Sequence, residues 1–405
     1  MIGVFFLFIL YFILNQVFFG VYEKSHSFLD KKKLNLLYIY HCFFYGVYTW
    51  YAYNNPSDSH GYYEDLVRHD GGGWFSLFGT DTTFINFLAY PFFQLGFSYD
   101  MLMFSFAWLG YLGFFYAYLF FKEKIPLDIK VFKNIDLFTL ILFFPNMHFW
   151  TASLGKGAPI FLGLMMFTYA IIQPKKRLFL LVLSSLIIFH IRPHVFMFVA
   201  VGAVLGNMSG KEKIPFWQKA LVFIGLTGVL ILVQDKILGV MGLQNSDNLI
   251  EDFQAVSSKN AEDLSSAGSG VDMSSYPLPF KLFTFWFRPL FIDAPNLLGI
   301  ITSVENLIYL LLFIKILSLR FIKFLKKSPA LVKMSFVIFL MASFAMTFVM
   351  SNLGIIMRQK SMVMYFLFFV IYYYLAQKKY DKLIRLRRLK KKLKEKREHP
   401  ELITE

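Results

Sequence analysis

The chain has 405 residues, of which 57% are apolar and 20% aromatic, with a formal net charge of +15. Long apolar runs recur from end to end, which excludes two or three soluble domains with polar surfaces and points to one membrane-embedded body. The runs are continuous and do not alternate, as in LFLLVLSSLIIF and LVFIGLTGVLILV, so helices are expected over a β-barrel; in hydrocarbon the backbone must satisfy itself by one or the other.

The first run, IGVFFLFILYFILNQVFFGVY, has no basic residue before it and no small-residue cleavage site after it. It reads as a span, and a cleaved signal is excluded. Further spans are expected near 34–53, 99–121, 136–150, 158–173, 178–191, 194–208, 218–241, 297–319, 333–351 and 361–377, about eleven with the first at 2–22. The fold class is therefore all-α, a polytopic transmembrane helical bundle. The single cysteine, Cys42, falls inside a span, which rules out an intrachain disulfide and a cysteine-based metal site.

Every second loop is rich in lysine: Lys24 and Lys31–Lys33; Lys122, Lys124, Lys130 and Lys133; Lys175, Lys176 and Arg177; Lys211, Lys213 and Lys219; Arg320, Lys323, Lys326, Lys327 and Lys333. The positive-inside rule places these loops and the C-terminus in the cytoplasm and the N-terminus outside. Residues 1–377 then form a transmembrane domain and 378–405 a basic cytoplasmic tail. From Lys378 to Arg397 the tail holds twelve Lys and Arg against two acids. Leu383, Ile384, Leu386, Leu389 and Leu393 are interleaved with them, so the tail suits an amphipathic helix on anionic lipid. Nucleic acid is the competing partner for such a tail, set aside because the tail follows directly on a span.

Two outward loops are long, 54–98 and 242–296. The first contains TFINFLAYPFFQL, too short to cross and read as a re-entrant or interfacial helix. The second begins polar and rich in Ser and Gly, as a flap would. It ends in PLPFKLFTFWFRPLFIDAPN, read as a second interfacial helix.

The outward loops are poor in cations: Arg68, Lys156, Arg192, Lys259, Lys281, Arg288, Arg358 and Lys360. Lys156, Arg192, Arg288 and Arg358 each sit beside an apolar run, where charge is costly unless paired or facing a polar cavity. Each could snorkel to lipid headgroups, or the four could converge on one anion, a phosphate or pyrophosphate. Pro145, the Gly155–Lys156–Gly157 turn, Pro159 and Pro193 interrupt helices nearby, as backbone lining a cavity does.

The candidate acids and bases are Asp58, Glu305, His190 and His194. Asp58 is chosen over Glu64, Asp65, Asp70 and Asp81 because it follows a span end and precedes Tyr62 and Tyr63, whose rings and hydroxyls suit sugar recognition. Glu305 lies within the ninth span, roughly two turns from its outer end at ~1.5 Å per residue. Such an acid is functional or held in a structural ion pair. His148 also falls near the outer face. His190 and His194 have helical i, i+4 spacing, but Pro193 intervenes and no metal site is expected. There is no nucleotide-binding glycine loop and no nucleophile elbow.

The order of a span, a lysine loop, a second span and SDSHGYY resembles the EpsG branch of Wzy-type polysaccharide polymerases, whose motif reads G-T-D-Y-x-x-Y. Asp58 takes the place of the motif aspartate, without the Gly-Thr. The segment NFLAYPFFQLGFSYDMLMFSFAWLGYLGFFYAYLFF is similar to the family's amphipathic stretch and third span. In PNMHFWTASLGKGAPIFLGL, Lys156 stands where the family has arginine. His190 or His194 matches a helix-end histidine, and Arg358 an arginine before the last span. The resemblance implies a glycosyltransferase that joins repeat units carried on undecaprenyl pyrophosphate at the outer leaflet of a bacterial inner membrane. It implies no cofactor and no metal, with other polysaccharide-assembly proteins as partners. A secondary transporter or flippase of lipid-linked saccharides, and a membrane acyltransferase, are the other readings.

Overall fold

The computed structural model describes residues 2–69, 71–210, 276–294, 297–349 and 352–398, with isolated positions 220, 224, 228, 231, 271 and 273. The expected span 218–241, the Ser/Gly-rich part of the second long loop, Lys259 and Asp70 lie outside the described residues. The chain is helical, with a single two-stranded hairpin, Lys130–Val131 against Ile135–Asp136, among the described residues.

Helix α1 (Ile2–Glu23) buries one stripe at four-residue spacing, Leu7, Tyr11, Asn15 and Phe19. The stripe packs on α5 (Tyr99–Lys124). Polar side chains tie the two helices together: Tyr11 Oη meets Ser105 Oγ at 2.8 Å, and Trp108 Nε1 donates to Asn15 Oδ1 at 3.0 Å. In an apolar surround such pairs are the specific part of helix association. Elsewhere on α1 a second face is bare: Ile2, Phe5, Phe6, Ile13 and Val17 are exposed. By contrast α5 is apolar all round and buried all round, as a central helix must be.

Helix α2 (Lys31–Asn54) starts on an Asp30 cap that accepts from the Lys33 amide. Around α5 stand α2, a broken pair α6 (Leu137–Leu142) and α7 (Pro145–Trp150), and the hairpin α8 (Gly157–Ala170) and α9 (Leu178–Ile191). Helix α10 (Pro193–Ser209) follows directly after Arg192. After the interval, α11 (Leu278–Phe287) and α12 (Leu297–Ile314) lead to the short α13 (Leu319–Lys327). Helix α14 (Ala330–Val349) packs on α10, and α15 (Leu353–Glu398) closes the chain. The apolar stretch read as a re-entrant or interfacial helix is α4 (Thr82–Gln94), preceded by α3 (Asp58–Val67).

Among the described residues four helices, α1, α5, α12 and α14, are long and apolar enough to cross a membrane, and α15, bent by 52° between Lys360 and Met362, makes five. Helices α8, α9 and α10 and the broken α6–α7 segment are apolar but shorter. Exposed apolar side chains also cover α9 (Leu178, Phe179, Val182, Leu186) and α12 (Leu297, Ile300, Val304, Leu311). Bare apolar faces on several helices, over a core closed by aromatic stacking, are the mark of a membrane protein. The count of about eleven spans exceeds what length and hydropathy support here, because several expected segments form helices of only 14 to 17 residues.

The lysine-rich loops meet at one end of the bundle. Lys33 approaches Asp136 at 3.9 Å, Arg177 pairs with Glu123 at 2.9 Å, and Lys379 donates to the Asp128 carbonyl at 2.7 Å. Lys315 lies over the Phe132 ring, and Lys333 donates to the Ser209 carbonyl. Connections poor in lysine gather at the opposite end, where Tyr53 donates to Asp100 at 2.7 Å and the Asp81 amide donates to the His190 carbonyl at 2.7 Å.

Candidate functional site

At the lysine-poor end a narrow cavity of about 30 Å³ is lined by Tyr48, Asp58, Tyr62, Trp150, Lys156, Arg192 and Arg358, with the 153–157 backbone as one wall. Five separate segments supply these side chains. Asp58 is the first residue of α3, after a Ser57 cap that accepts from the Ser59 amide. Acids are favoured at that end of a helix. Four positions on, Tyr62 is buried and turns its ring edge to Gly155.

Lys156 is placed by a turn that only glycine allows. Gly155 has φ of +148°, and a Cβ there would sit 3.2 Å from the Tyr62 ring. A Cβ on Gly157 would lie 2.2 Å from the Trp150 carbonyl oxygen. The turn is thus pressed against α3 on one side and against the end of α7 on the other. Arg192 occupies the single extended residue between α9 and α10, where Pro193 cannot continue the first helix and starts the second. Arg358 is in the first turns of α15, capped by Asn352 Oδ1 accepting from Gly354 and Ile355.

Two of the three cations have acidic partners. Lys156 Nζ lies 2.6 Å from Asp81 Oδ2, and Arg358 pairs with Asp58. Arg192 is different: among the described residues its side chain has no hydrogen bond or ion pair, and its Nε is sealed from solvent without a partner. Burial and the neighbouring Arg358 lower its pKa to about 10, so it stays charged at neutral pH. Burial raises the Asp81 carboxyl, but the Lys156 ammonium, with Arg192 behind it, outweighs that and holds it below the ordinary range. Burial and the Asp58 charge push the Tyr62 phenol up to about 12, so it remains a neutral donor. The centre is a cation-rich pocket with one unanswered charge, suited to an oxyanion ligand.

The convergence expected of four cations holds for three. Arg288 is not in the pocket. It makes a fork to Asp293, Nε to Oδ2 at 3.0 Å and Nη2 to Oδ1 at 2.6 Å, because its own loop returns an acid five residues later. Tyr63 also faces elsewhere, its ring edge-on to Phe93 and Tyr99. As neighbours in a helix, Tyr62 and Tyr63 cannot share a direction.

Glu305 lies apart, buried, with Oε2 accepting from the Asn146 amide at 2.7 Å and Oε1 from the Tyr309 hydroxyl. It caps the start of α7. Asn146 in turn donates to the Met357 carbonyl at 3.1 Å and accepts from Trp150 Nε1 at 3.1 Å. Glu305 therefore braces two elements of the pocket and is not among the residues that line it. His190 is likewise a clamp: its Nδ1 donates to the Gly79 carbonyl at 2.7 Å, and its ring stacks on Phe84. His194 lies behind Arg192 against Phe198, outside the pocket lining. His148, expected at the outer face, is buried against the Phe114 ring and hydrogen-bonded to His41. Among the described residues no group of three or more His, Cys, Asp or Glu side chains is placed to share a metal ion.

Asp81 was passed over in favour of Asp58, although a signal for it was in the sequence. Gly79–Thr80–Asp81 repeats the Gly-Thr-Asp that opens the motif of the resembled family, which SDSHGYY lacks. The His190 clamp holds this tripeptide against α9, with Asp81 at φ of +62° and its carboxylate on Lys156. No family model matches the chain, and no match was found among curated proteins or solved structures.

Proposed function

We propose that this chain is a membrane glycosyltransferase that transfers or polymerises saccharide units carried on polyprenyl pyrophosphate, at the lysine-poor face of the membrane. In this reading the shorter apolar helices cross as well, giving about eleven spans. The lysine-rich end is cytoplasmic by the positive-inside rule, with the N-terminus outside a bacterial inner membrane. The observation that carries the proposal is the half-buried Arg192 guanidinium, its sealed Nε without a hydrogen-bond partner, beside Lys156 and Arg358 in one pocket. A guanidinium drawn out of water is costly unless its donors are satisfied, and a pyrophosphate would satisfy them.

The chemistry follows from the pairing. An acceptor hydroxyl oxygen attacks the anomeric carbon of the donor, and the bond from that carbon to the pyrophosphate oxygen breaks. The leaving diphosphate gains negative charge, which Arg192, Arg358 and Lys156 stabilise. Asp58 is half exposed at the rim and bonded to Arg358. When Arg358 turns to the diphosphate, Asp58 is released to take the hydroxyl proton. Donor binding thus frees the base. Tyr62 and Tyr48 provide rings and hydroxyls for the sugar.

The test is the lipid-linked saccharide profile of a deletion strain complemented with variants. Arg192→Ala and Arg358→Ala should insert normally, accumulate single lipid-linked units and bind donor more than tenfold more weakly, as for a lost charged hydrogen bond of roughly 1.5–3 kcal/mol. The double variant should fall short of additivity, because both act on one group. Arg288→Ala should leave donor affinity unchanged. Full polymer in both single variants sinks the proposal. Missing sugars in place of accumulated units would make the enzyme a single-addition transferase. Units trapped on the lysine-rich side would make the chain a flippase.

A further inference from the structure

The lysine-rich end carries a second cavity, larger and independent of the first. It has a volume of about 560 Å³ and lies between α13 and α15. Helix α13 contributes Arg320, Lys323, Phe324 and Lys327, and α15 contributes Tyr374, Gln377, Lys378 and Asp381. Both sets run i, i+3, i+4, i+7, so each is one complete helical face. Two helices present these faces to each other across open space.

The floor is built and fixed. Tyr374 packs its ring against Phe321 at 5.4 Å and Phe324 at 5.1 Å, and its hydroxyl meets Ser318 Oγ at 3.4 Å. Ser318 also caps α13 through the Phe321 amide. The rim is cationic. Arg320, Lys323, Lys327 and Lys378 line it against one acid, Asp381, whose carboxylate already accepts from Gln377 at 2.8 Å. Among the described residues none of the four cations has an ion-pair partner. Three of the four cations stand on α13 while α15 adds Lys378 together with Asp381, so the lining keeps an excess of positive charge that an anion would offset. Beside the cavity, Leu317, Leu319 and Ile322 are exposed and apolar, so the mouth opens next to a lipid-facing edge.

We infer that this cavity binds the phosphate headgroup of an anionic phospholipid, with Arg320, Lys323, Lys327 and Lys378 as its ligands and the acyl chains lying along Leu317, Leu319 and Ile322. The cations take the phosphate oxygens. Tyr373 and Tyr374 pack against the glycerol backbone. The apolar edge separates a lipid phosphate from a free one, since only the lipid gains from it.

The test uses the full chain in phosphatidylcholine nanodiscs doped with phosphatidylglycerol, with retained lipid counted by native mass spectrometry. The wild type should keep phosphatidylglycerol preferentially. The Arg320→Gln/Lys323→Gln/Lys327→Gln variant should lose that preference by more than tenfold. A control neutralised further along the tail, Arg387→Gln/Arg388→Gln/Lys390→Gln, should keep it. The single charge reversal Lys323→Glu, at an exposed position that folding does not need, should by itself lower retention severalfold. Equal retention in the cavity variants and the wild type overturns the inference. So does equal loss in the tail control, which would make the effect one of overall charge. Inorganic phosphate or glycerol 3-phosphate displacing the lipid as effectively as added phosphatidylglycerol would assign the cavity to a soluble phosphate, and the lipid inference would fall.

Discussion

The pair of Lys156 and Asp81 makes the site sensitive to acid in a direction that can be worked out. The folded pKa of Asp81 lies below its unfolded value. A group of that kind contributes stability that is fully present above its unfolded pKa and is lost as pH falls through the folded one. The melting temperature of the purified protein should therefore exceed that of Asp81→Asn by a constant margin from neutral pH down to about pH 5, and the margin should shrink on further acidification. An Asp81→Asn protein that melts at the wild-type temperature at neutral pH would show that the pair contributes nothing to folding. At this scale the sequence was informative wherever a charge had an apolar neighbourhood. Lys156, Arg192 and Arg358 were marked out because cations are rare in those loops. Arg288 met the same criterion and failed in the structure because the deciding residue was Asp293, a local acid whose partner depends on how one loop turns. Asp81 was missed for the opposite reason. Its place on Lys156 comes from a clamp to His190, more than a hundred positions away, which the Gly79–Thr80–Asp81 tripeptide alone does not record.

Helix ends, more than helix middles, build the pocket. The start of α3, the end of α7, the 151–156 turn, the α9–α10 junction and the first turns of α15 all meet there. Glu305, Asn146 and Lys360 keep these ends in place. The Lys360 ammonium donates to the Arg288 carbonyl at 2.8 Å and to Asn306 Oδ1 at 2.9 Å, next to Glu305 in sequence. Both charges are almost wholly buried. Neutralising one leaves the other without compensation, which typically costs about 3–5 kcal/mol. Lys360→Met and Glu305→Gln should each lower unfolding free energy by an amount of that order in detergent. The double variant should lose clearly less than the two losses together; full additivity would mean the two charges ignore one another. Glu305 was recognisable in the sequence as an acid at membrane depth, with a structural pair among its readings. That it braces α7 was not, because α7 is a six-residue helix isolated by Pro145 and the glycine turn. Short broken elements of this kind have no periodicity to read.

On the scale of the whole molecule, alternation of charge along the chain has become separation of charge in space: lysine-rich loops at one end, the cation-lined pocket at the other. A reporter active only outside the cytoplasm should work when fused after Asn54 and fail when fused after Lys327 or Glu405; the reverse pattern would invert the proposed orientation. Hydrophobic runs made the helical class legible. The number of crossings was less so, because run length cannot distinguish a tilted span from a half-crossing that meets its neighbour, as α6 and α7 do. The contact between Asp58 and Arg358 adds a dimension of time. The two residues are 300 positions apart. At ribosomal rates of about 5–20 residues per second, the arginine is made roughly 15–60 s after the aspartate. Through that interval the first half of the chain is already inserted while its pocket lacks a wall. Completion waits for the last helix, so a nascent chain interrupted before residue 358 lacks the Arg358 wall of the pocket.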